Sequence, residues 1–239
     1  MSADDSKRAV GEAAAELAQP GMIVGLGTGS TAAWFVRALA TRGLDIRCVP
    51  TSEATAALAR EGGLALIALD EAREIDLTVD GADEIGPGLA LIKGAGGALL
   101  REKLVWEASR RCVVIADSSK LVRVLGAGRY PLPIEVIAFG HEHTLRRIEA
   151  GLADCGILAQ PRLRRRDDGA VVLTDSGNLI YDAPCGAILD PPGVEAALKS
   201  ITGVVEHGLF LGLAREALIG TAAGVERLSP RDLMEPPYG

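Results

Sequence analysis

Phe, Trp and Tyr make up only 3% of this 239-residue chain, so its interior has to be built from Ala, Val, Leu and Ile. Aliphatics of that kind suit parallel strands covered by helices. Cysteine is also scarce: Cys48, Cys112, Cys155 and Cys185 stand far apart, with no C-x-x-C pair. That spacing fits neither a zinc site nor a disulfide framework, and reduced thiols are the expectation. No window approaches the roughly 20 apolar residues that a membrane span needs. The opening MSADDSKRAVGEAAAELAQPG is acidic and has no apolar core of a signal peptide. The expected setting is therefore soluble and cytoplasmic, with no membrane partner. Cations are outnumbered, 25 Lys and Arg against 32 Asp and Glu, for a formal net charge of −7. A general nucleic-acid binder needs the opposite balance, so no nucleic-acid partner is expected. The run RLRRR at Arg162 to Arg166 is the one basic exception.

What the chain does have is enough apolar material for a full core, 48% hydrophobic against 24% charged. Ser6 to Leu17 carries a helical apolar period that stops at Pro20-Gly21. Met22 to Leu26 reads as a strand, Gly27 to Ser30 as a loop and Thr31 to Ala40 as a helix. Ile46 to Val49 is a strand, Glu53 to Arg60 a helix, and Leu64 to Leu69 and Asp76 to Val79 are strands. Leu99 to Ser109 is a helix and Cys112 to Ala116 a buried strand. This alternation predicts βαβ units: an α/β fold with a Rossmann-like, largely parallel sheet and helices on both faces.

The pattern changes after Tyr130-Pro131-Leu132-Pro133. Ile134 to about Ser200 reads strand, helix, strand, strand, helix, centred on a hairpin of Arg162 to Arg166 and Val171 to Thr174 around Asp167-Asp168-Gly169. That is the split pattern of a small ferredoxin-like α+β domain. RLRRR then reads as an exposed edge strand whose cations discourage pairing, with a phosphate- or partner-binding role as the alternative. VVEHGLF and the segment around Ala217 to Gly220 read as strands returning to the first sheet. The expected organisation is a catalytic domain of residues 1–130 and 203–228, a small domain of residues 131–202, and a loose tail of residues 229–239.

Ligands of an open parallel sheet sit outside the carboxyl ends of its strands, and three unusual segments fall there. GLGTGST, Gly25 to Thr31, offers backbone N–H groups, a helix N-terminus and the hydroxyls of Ser30 and Thr31 to an anion. It lacks the G-K-[ST] of a P-loop, and Ser30 stands where a dinucleotide fingerprint needs glycine. A small phosphorylated ligand suits it better than NAD, and a merely tight turn is the plain alternative. LTVDGADEI crowds Asp80, Asp83 and Glu84 against the end of an apolar strand, which a solvated turn also explains. IKGAGGALLREK places Lys93 before a flexible glycine stretch and Glu102 early in the next helix. Flanking Arg101 and Lys103 equally allow Glu102 a surface salt bridge. Lys120, in IADSSK, follows another strand end and alone reads as a surface lysine.

Together these supply an anion cradle, paired carboxylates, a lysine and a further glutamate at one sheet edge. One of two paired carboxylates can stay protonated while the other acts as base, and a lysine stabilises a developing oxyanion. With neither metal ligands nor a cofactor fingerprint present, the predicted chemistry is cofactor-free, metal-free proton transfer on a phosphorylated carbonyl compound.

GLGTGST, VDGADEI, KGAGGALLREK, IADSSK, PLPIEVI, DSGNLIYD and GVVEHGLF occur in this order, and from about Lys7 to about Arg227 the chain closely resembles the A-type ribose-5-phosphate isomerase family. The resemblance implies interconversion of ribose 5-phosphate and ribulose 5-phosphate in the non-oxidative pentose phosphate pathway, by a homodimer or tetramer. It implies Glu102 as the base that moves a proton between C1 and C2 through an enediolate. Asp80 and Asp83 become the acids for ring opening and hydroxyl protons, and Lys93 the stabiliser of the enediolate oxygen. Thr28, Gly29, Ser30, Thr31, Gly81, Ala82, Gly94, Ala95, Gly96 and Lys120 become substrate-binding positions, with Lys7 reaching the phosphate. Glu84 is expected to point into solvent or a surface ion pair. Ala95, where a third consecutive glycine is common, and Ser176, in the small domain's DSGNLIYD segment, depart from the family pattern.

A sugar-phosphate sensor without catalysis is the competing class, but Glu102 would be superfluous there. Other enzymes of this broad fold would lean on a histidine. His141 and His143 open the presumed small-domain helix away from the three loops, and His207 sits in a strand pattern as a structural residue.

Overall fold

The structure is a computed structural model that describes residues 2–234. Ser2 starts the first helix, α1 (Ala3–Ala15), through a capping box: its hydroxyl accepts from the Asp5 amide while the Asp5 carboxylate accepts from the Ser2 amide. This cap begins the helix earlier than its apolar period indicates. Then come β1 (Ile23–Leu26), α2 (Ser30–Thr41), β2 (Arg47–Pro50), α3 (Glu53–Glu61) and β3 (Ala65–Leu66). β3 is shorter than the expected Leu64–Leu69 strand, because the chain turns into a 3₁₀ segment at Leu69–Glu71. β4 (Leu77–Asp80), β5 (Glu84–Ile85), β6 (Leu91–Ile92), α4 (Leu99–Glu107) and β7 (Cys112–Asp117) complete the first part.

The second part runs β8 (Leu132–Val136), α5 (His141–Asp154), β9 (Arg162–Leu163), β10 (Leu179–Ala183), α6 (Pro191–Lys199) and β11 (Val204–His207). The chain then returns through β12 (Leu209–Phe210), β13 (Glu216–Thr221) and β14 (Gly224–Leu228).

The main sheet has seven strands in the order β14-β13-β7-β4-β1-β2-β3, parallel throughout except for β14 at one edge. Alternate residues of its strands feed two cores. Val24, Leu26, Val79 and Ile115 pack with Val10 of α1 and Phe35 and Leu39 of α2. Val114, Ala116 and Ile219 point the other way, to Trp106 of α4 and Phe210 of β12, whose rings meet edge to face at 5.6 Å. Helices thus cover both faces, as the apolar composition implies. Among the described residues no helix is long and apolar enough to cross a membrane.

The second sheet has the antiparallel order β11-β8-β10-β9. Two expectations need correction here. The expected turn at Asp167-Asp168-Gly169 is present, the Val172 amide donating to the Arg164 carbonyl at 3.0 Å across it. Val171 to Thr174, however, contributes only isolated bridges, and the strand paired with Arg162–Leu163 is β10, from the DSGNLIYD region. The VVEHGLF run does not return to the main sheet: β11 pairs with β8, and β12 pairs with β6 in a separate three-stranded sheet. β11 is the fourth strand that a split β-α-β arrangement needs beside its first. The run breaks at Gly208, where a Cβ would lie 2.3 Å from the Lys93 carbonyl and 2.7 Å from Pro133. Only glycine lets the two backbones meet there. The expected loose tail is ordered over Pro230–Leu233, a 3₁₀ turn capped by Ser229 and Asp232 that buries Leu233. The remainder of that tail lies outside the described residues.

Lys103 joins α4 to the second sheet. Its buried ammonium donates to Glu206 Oε1 at 2.8 Å, the His207 carbonyl at 3.1 Å and the Leu209 carbonyl at 2.7 Å. Burial opposes the charge on Glu206, but Lys103 and Lys199 outweigh it and hold the pKa down at about 2. Burial, reinforced by the Lys103 charge, pushes His207 down to about 3. Both folded values lie below the ordinary 4.5 and 6.5, so both groups support the fold above those values and lose that support as pH falls. The urea midpoint is expected to drop as pH falls from 6.5 toward 3, and His207→Gln, which cannot protonate, to flatten the upper part of that drop.

Candidate active site

The three loops predicted from sequence do meet, but by two routes. GLGTGST and VDGADEI leave the ends of β1 and β4, as the strand-end rule requires, whereas IKGAGG follows β6 of the antiparallel three-stranded sheet and not a strand of the parallel one. At Gly27 a Cβ would sit 2.2 Å from the Asp80 carboxyl, so a glycine is needed for the loop to lie against that acid. Asp80 Oδ1 accepts from the Thr28 amide at 3.0 Å and the Gly81 amide at 2.7 Å. Gly29 takes a φ of 110°, accessible essentially to glycine, and hands the chain to α2. The Thr28 hydroxyl lies 2.8 Å from those of Thr51 and Ser52 and 3.1 Å from that of Thr55, a cluster that pins the loop to the end of β2. Lys7, from α1, donates to Ser30 Oγ at 3.0 Å.

Lys93 stands at the centre. Its Nζ lies 3.0 Å from Asp80 Oδ2 and 3.4 Å from Glu102 Oε1, and donates to the Gly81 carbonyl at 2.6 Å. Lys93 is 2% exposed, Asp80 0% and Glu102 4%, so charges within this triad interact more strongly than they would in bulk water. Burial works against the Lys93 charge, yet Asp80 and Glu102 together hold its pKa above the ordinary lysine value. Glu102 goes the opposite way to an ordinary ion-paired acid. Burial first, and then the charge of Asp80, push its pKa up to about 8 against the pull of Lys93. Its Oε2 is buried without a hydrogen-bond partner.

Asp83 is reached from another side. Its Oδ2 accepts from the Ala95 amide at 2.8 Å. Burial raises its pKa, opposed by that amide and by the charges of Lys93, Lys120 and Arg164. Since the contact is made by the Ala95 backbone, a methyl group at that position is compatible with it.

A cavity of about 270 Å³ opens among these groups. Lys7, Thr28, Gly29, Ser30 and Thr31 line it, with Gly81, Ala82, Asp83, Lys93, Gly94, Ala95, Gly96, Glu102 and Lys120. Every residue predicted for the site thus reaches the cavity except Asp80, which lies behind Lys93 and is fully buried. His141 and His143 begin α5 outside the cavity, His141 Nδ1 lying 2.7 Å from the Tyr181 hydroxyl. Among the described residues no group of His, Cys, Asp and Glu could hold a metal ion.

The sequence reading missed four residues. Tyr130 lines the cavity, and its hydroxyl accepts from Lys120 at 2.7 Å. Glu84 is not a solvent or surface-pair residue: it is buried, and its Oε2 accepts from the Gly126 amide at 2.7 Å, which holds the turn leading to Tyr130. Lys103 is an anchor rather than a surface neighbour of Glu102, although Arg101 does pair at the surface with Glu53 at 2.9 Å. Arg164 leaves the edge strand to donate to the carbonyls of Gly94 and Ala95. No local signal marks these four, since each depends on which side of its element faces the core.

Residues 47–224 match the ribose 5-phosphate isomerase A (phosphoriboisomerase A) family. The chain belongs to that family. Ribose-5-phosphate isomerase A of Caulobacter sp. strain K31 is 67% identical over 230 residues, covering 96% of this chain and all of the relative. A solved D-ribose-5-phosphate isomerase in complex with phospho-erythronic acid is 37% identical and superposes with a TM-score of 0.88 over 96% of this chain and 100% of its own. Ribose 5-phosphate isomerase A of Methanocaldococcus jannaschii, 38% identical, gives a TM-score of 0.86 over 95% and 100%. The family's fold is therefore present across nearly the whole chain, second sheet included.

Proposed function

We propose that the cavity converts D-ribose 5-phosphate to D-ribulose 5-phosphate and back through an enediolate, by proton transfer between its own side chains and the sugar. The chain is an aldose–ketose isomerase of ribose 5-phosphate, and the steps assigned to individual residues are the reading offered here. Lys7, Ser30 and Thr31, with the amides of the glycine loop, take the phosphate, because they gather a cation and donors at the start of α2, and Lys120 lines the same cavity as a further cation for the substrate. Asp83 supplies and recovers the proton that opens the furanose ring. Glu102 removes the C2 proton and returns it to C1, while a hydroxyl proton moves from O2 to O1. The Lys93 ammonium faces the enediolate oxygen, and Asp80 holds that ammonium in place through its 3.0 Å pair. A structural relative holds phospho-erythronic acid, a phosphorylated sugar acid, which supports a sugar phosphate in this cleft.

The observation that carries this reading is Glu102: a buried carboxylate with one unpartnered oxygen, facing the cavity beside a fixed cation. Its raised pKa makes it a stronger base than an exposed glutamate. A sensor would have no use for such a group. We further assign the enzyme to the cytoplasm and the non-oxidative pentose phosphate pathway, as a homodimer. The small unit is taken as residues 131–202 extended to β11, packed against a body formed by the rest.

The test is ketose formation from ribose 5-phosphate by EDTA-treated protein without added cofactor. Wild-type protein is expected to turn over, and Asp83→Asn to lose about two to four orders of magnitude of kcat. Binding of the sugar phosphate without turnover by wild type would instead make the protein a sensor.

A further inference from the structure

We infer that Arg164, from the second sheet, is a positioning residue for the isomerisation: it clamps the Gly94–Ala95 backbone so that the Ala95 amide meets Asp83. This rests on the proposed role of Asp83.

The loop Gly94-Ala95-Gly96-Gly97 has no side chain longer than a methyl group, and Gly94 and Gly97 take φ values of 108° and 77°. Such a segment has wide conformational freedom and needs an outside restraint to present one amide in one place. Its own turn supplies a single bond, from the Gly97 amide to the Gly94 carbonyl at 3.0 Å. Arg164 supplies the rest, its Nη1 donating to the Gly94 carbonyl at 2.8 Å and the Ala95 carbonyl at 3.1 Å. The peptide group that carries the Ala95 amide is thereby held by its own carbonyl, that of Gly94, and the next peptide group by the Ala95 carbonyl, while the Ala95 amide donates to Asp83 Oδ2 at 2.8 Å.

Arg164 is itself held. Its Nε donates to Asp182 Oδ2 at 2.8 Å and its Nη2 to Asp182 Oδ1, a two-pronged pair based on β10. Its own backbone is tied on both sides, the amide to the Ile180 carbonyl at 2.8 Å and the carbonyl to the Val172 amide at 3.0 Å. The links run from β10 through Asp182, Arg164 and the loop carbonyls to Asp83, which joins the second sheet to the chemistry of the first. The rest of the basic run does other work. Arg165 donates to the Gly169 carbonyl at 2.9 Å and Arg166 pairs with Asp168 at 3.5 Å, both at the exposed hairpin turn. Only a planar guanidinium can grip a carboxylate with one edge and two carbonyls with another, so lysine is a poor substitute.

Arg164→Ala and Arg164→Lys are compared with Asp83→Asn and with the double variant Arg164→Ala/Asp83→Asn in steady-state kinetics on ribose 5-phosphate. A positioning fault of about 1 Å typically costs about 100-fold. We expect kcat of Arg164→Ala to fall roughly 10- to 100-fold with KM within about threefold, because the phosphate-holding groups are untouched. Arg164→Lys is expected to recover less than half of that loss on a logarithmic scale, and it keeps the test open should the alanine variant fold poorly. The double variant should be no more than about twofold slower than Asp83→Asn, since placing residue 83 gains nothing once it has no acid proton to exchange. Near-normal kcat in a folded Arg164→Ala or Arg164→Lys protein overturns the inference, as does a double variant in which the two losses multiply. Near-normal turnover in Asp83→Asn while Arg164→Ala is slow overturns instead the role given to Asp83.

Discussion

Glu102→Gln is expected to lower kcat on ribose 5-phosphate by about two to four orders of magnitude while binding of the sugar phosphate survives. Gln keeps the size of the side chain and removes its ability to accept and return a proton. The groups assigned to substrate binding, Lys7, Ser30 and Lys120, are left unchanged. The pH dependence follows from the same carboxylate. A base must be ionised to work, so kcat/KM of the wild type should rise with pH through about 8, the value to which burial and Asp80 push Glu102. The stability consequence has the opposite sign. The folded pKa lies above the ordinary 4.5, so the contribution of Glu102 to stability is complete below about 4.5 and is lost as pH rises through about 8. Gln cannot ionise and escapes that loss. Urea denaturation at pH 6 and pH 9 should show Glu102→Gln gaining on the wild type at the higher pH. A variant that is slow at pH 6 yet near normal at pH 9 would place the base elsewhere.

Much of this site was legible in the chain because its parts are local. GLGTGST and KGAGG each join an apolar strand segment to a turn with glycine at a positive φ, and GLGTGST and VDGADEI are strand-end loops of one parallel sheet, which converge without further information. Asp80 and Asp83 could be placed beside the glycine loop on that rule. Lys93 and Glu102 reach the same place from β6 and α4, outside the parallel sheet, with Lys93 3.0 Å from Asp80 and 3.4 Å from Glu102. Side-chain direction was less accessible. Glu102 and Lys103 are neighbours on α4, about 100° apart around the helix, and both are buried. One faces the cavity and the other the β11–β12 backbone, because α4 is enclosed from two sides. An adjacent pair of opposite charges looks like surface in any sequence.

The second sheet was half legible. Its split pattern was visible, but VVEHGLF is one apolar run, and nothing local says that it changes sheets at Gly208. That break is set by the approach of the Lys93 carbonyl and Pro133, residues far away in the chain. The same holds for RLRRR. Which arginine faces inward depends on the register of β9 against β10, with Arg162 opposite Asp182 and Leu163 opposite Tyr181. Edge-strand chemistry describes Arg162, whereas Arg164 follows from tertiary pairing alone.

Lys93→Met should be costly in two separable ways. Met fills a similar volume without charge, so the enediolate oxygen loses its cation, and removal of such a preorganised group typically costs about 10²- to 10³-fold in kcat. It also leaves Asp80, fully buried, without the ammonium 3.0 Å away. Breaking one side of a buried ion pair costs about 3–5 kcal/mol of stability. Without Lys93's attraction the Glu102 pKa rises further, so the acid limb of kcat/KM should move to higher pH than in the wild type. The double variant Lys93→Met/Asp80→Asn separates the two effects. Neutralising Asp80 removes the stranded charge, so urea denaturation should show most of the lost stability restored. Turnover should stay as low as in Lys93→Met, since the cation at the oxyanion is still missing. Recovery of kcat together with stability in the double variant would reduce Lys93 to a structural counter-ion.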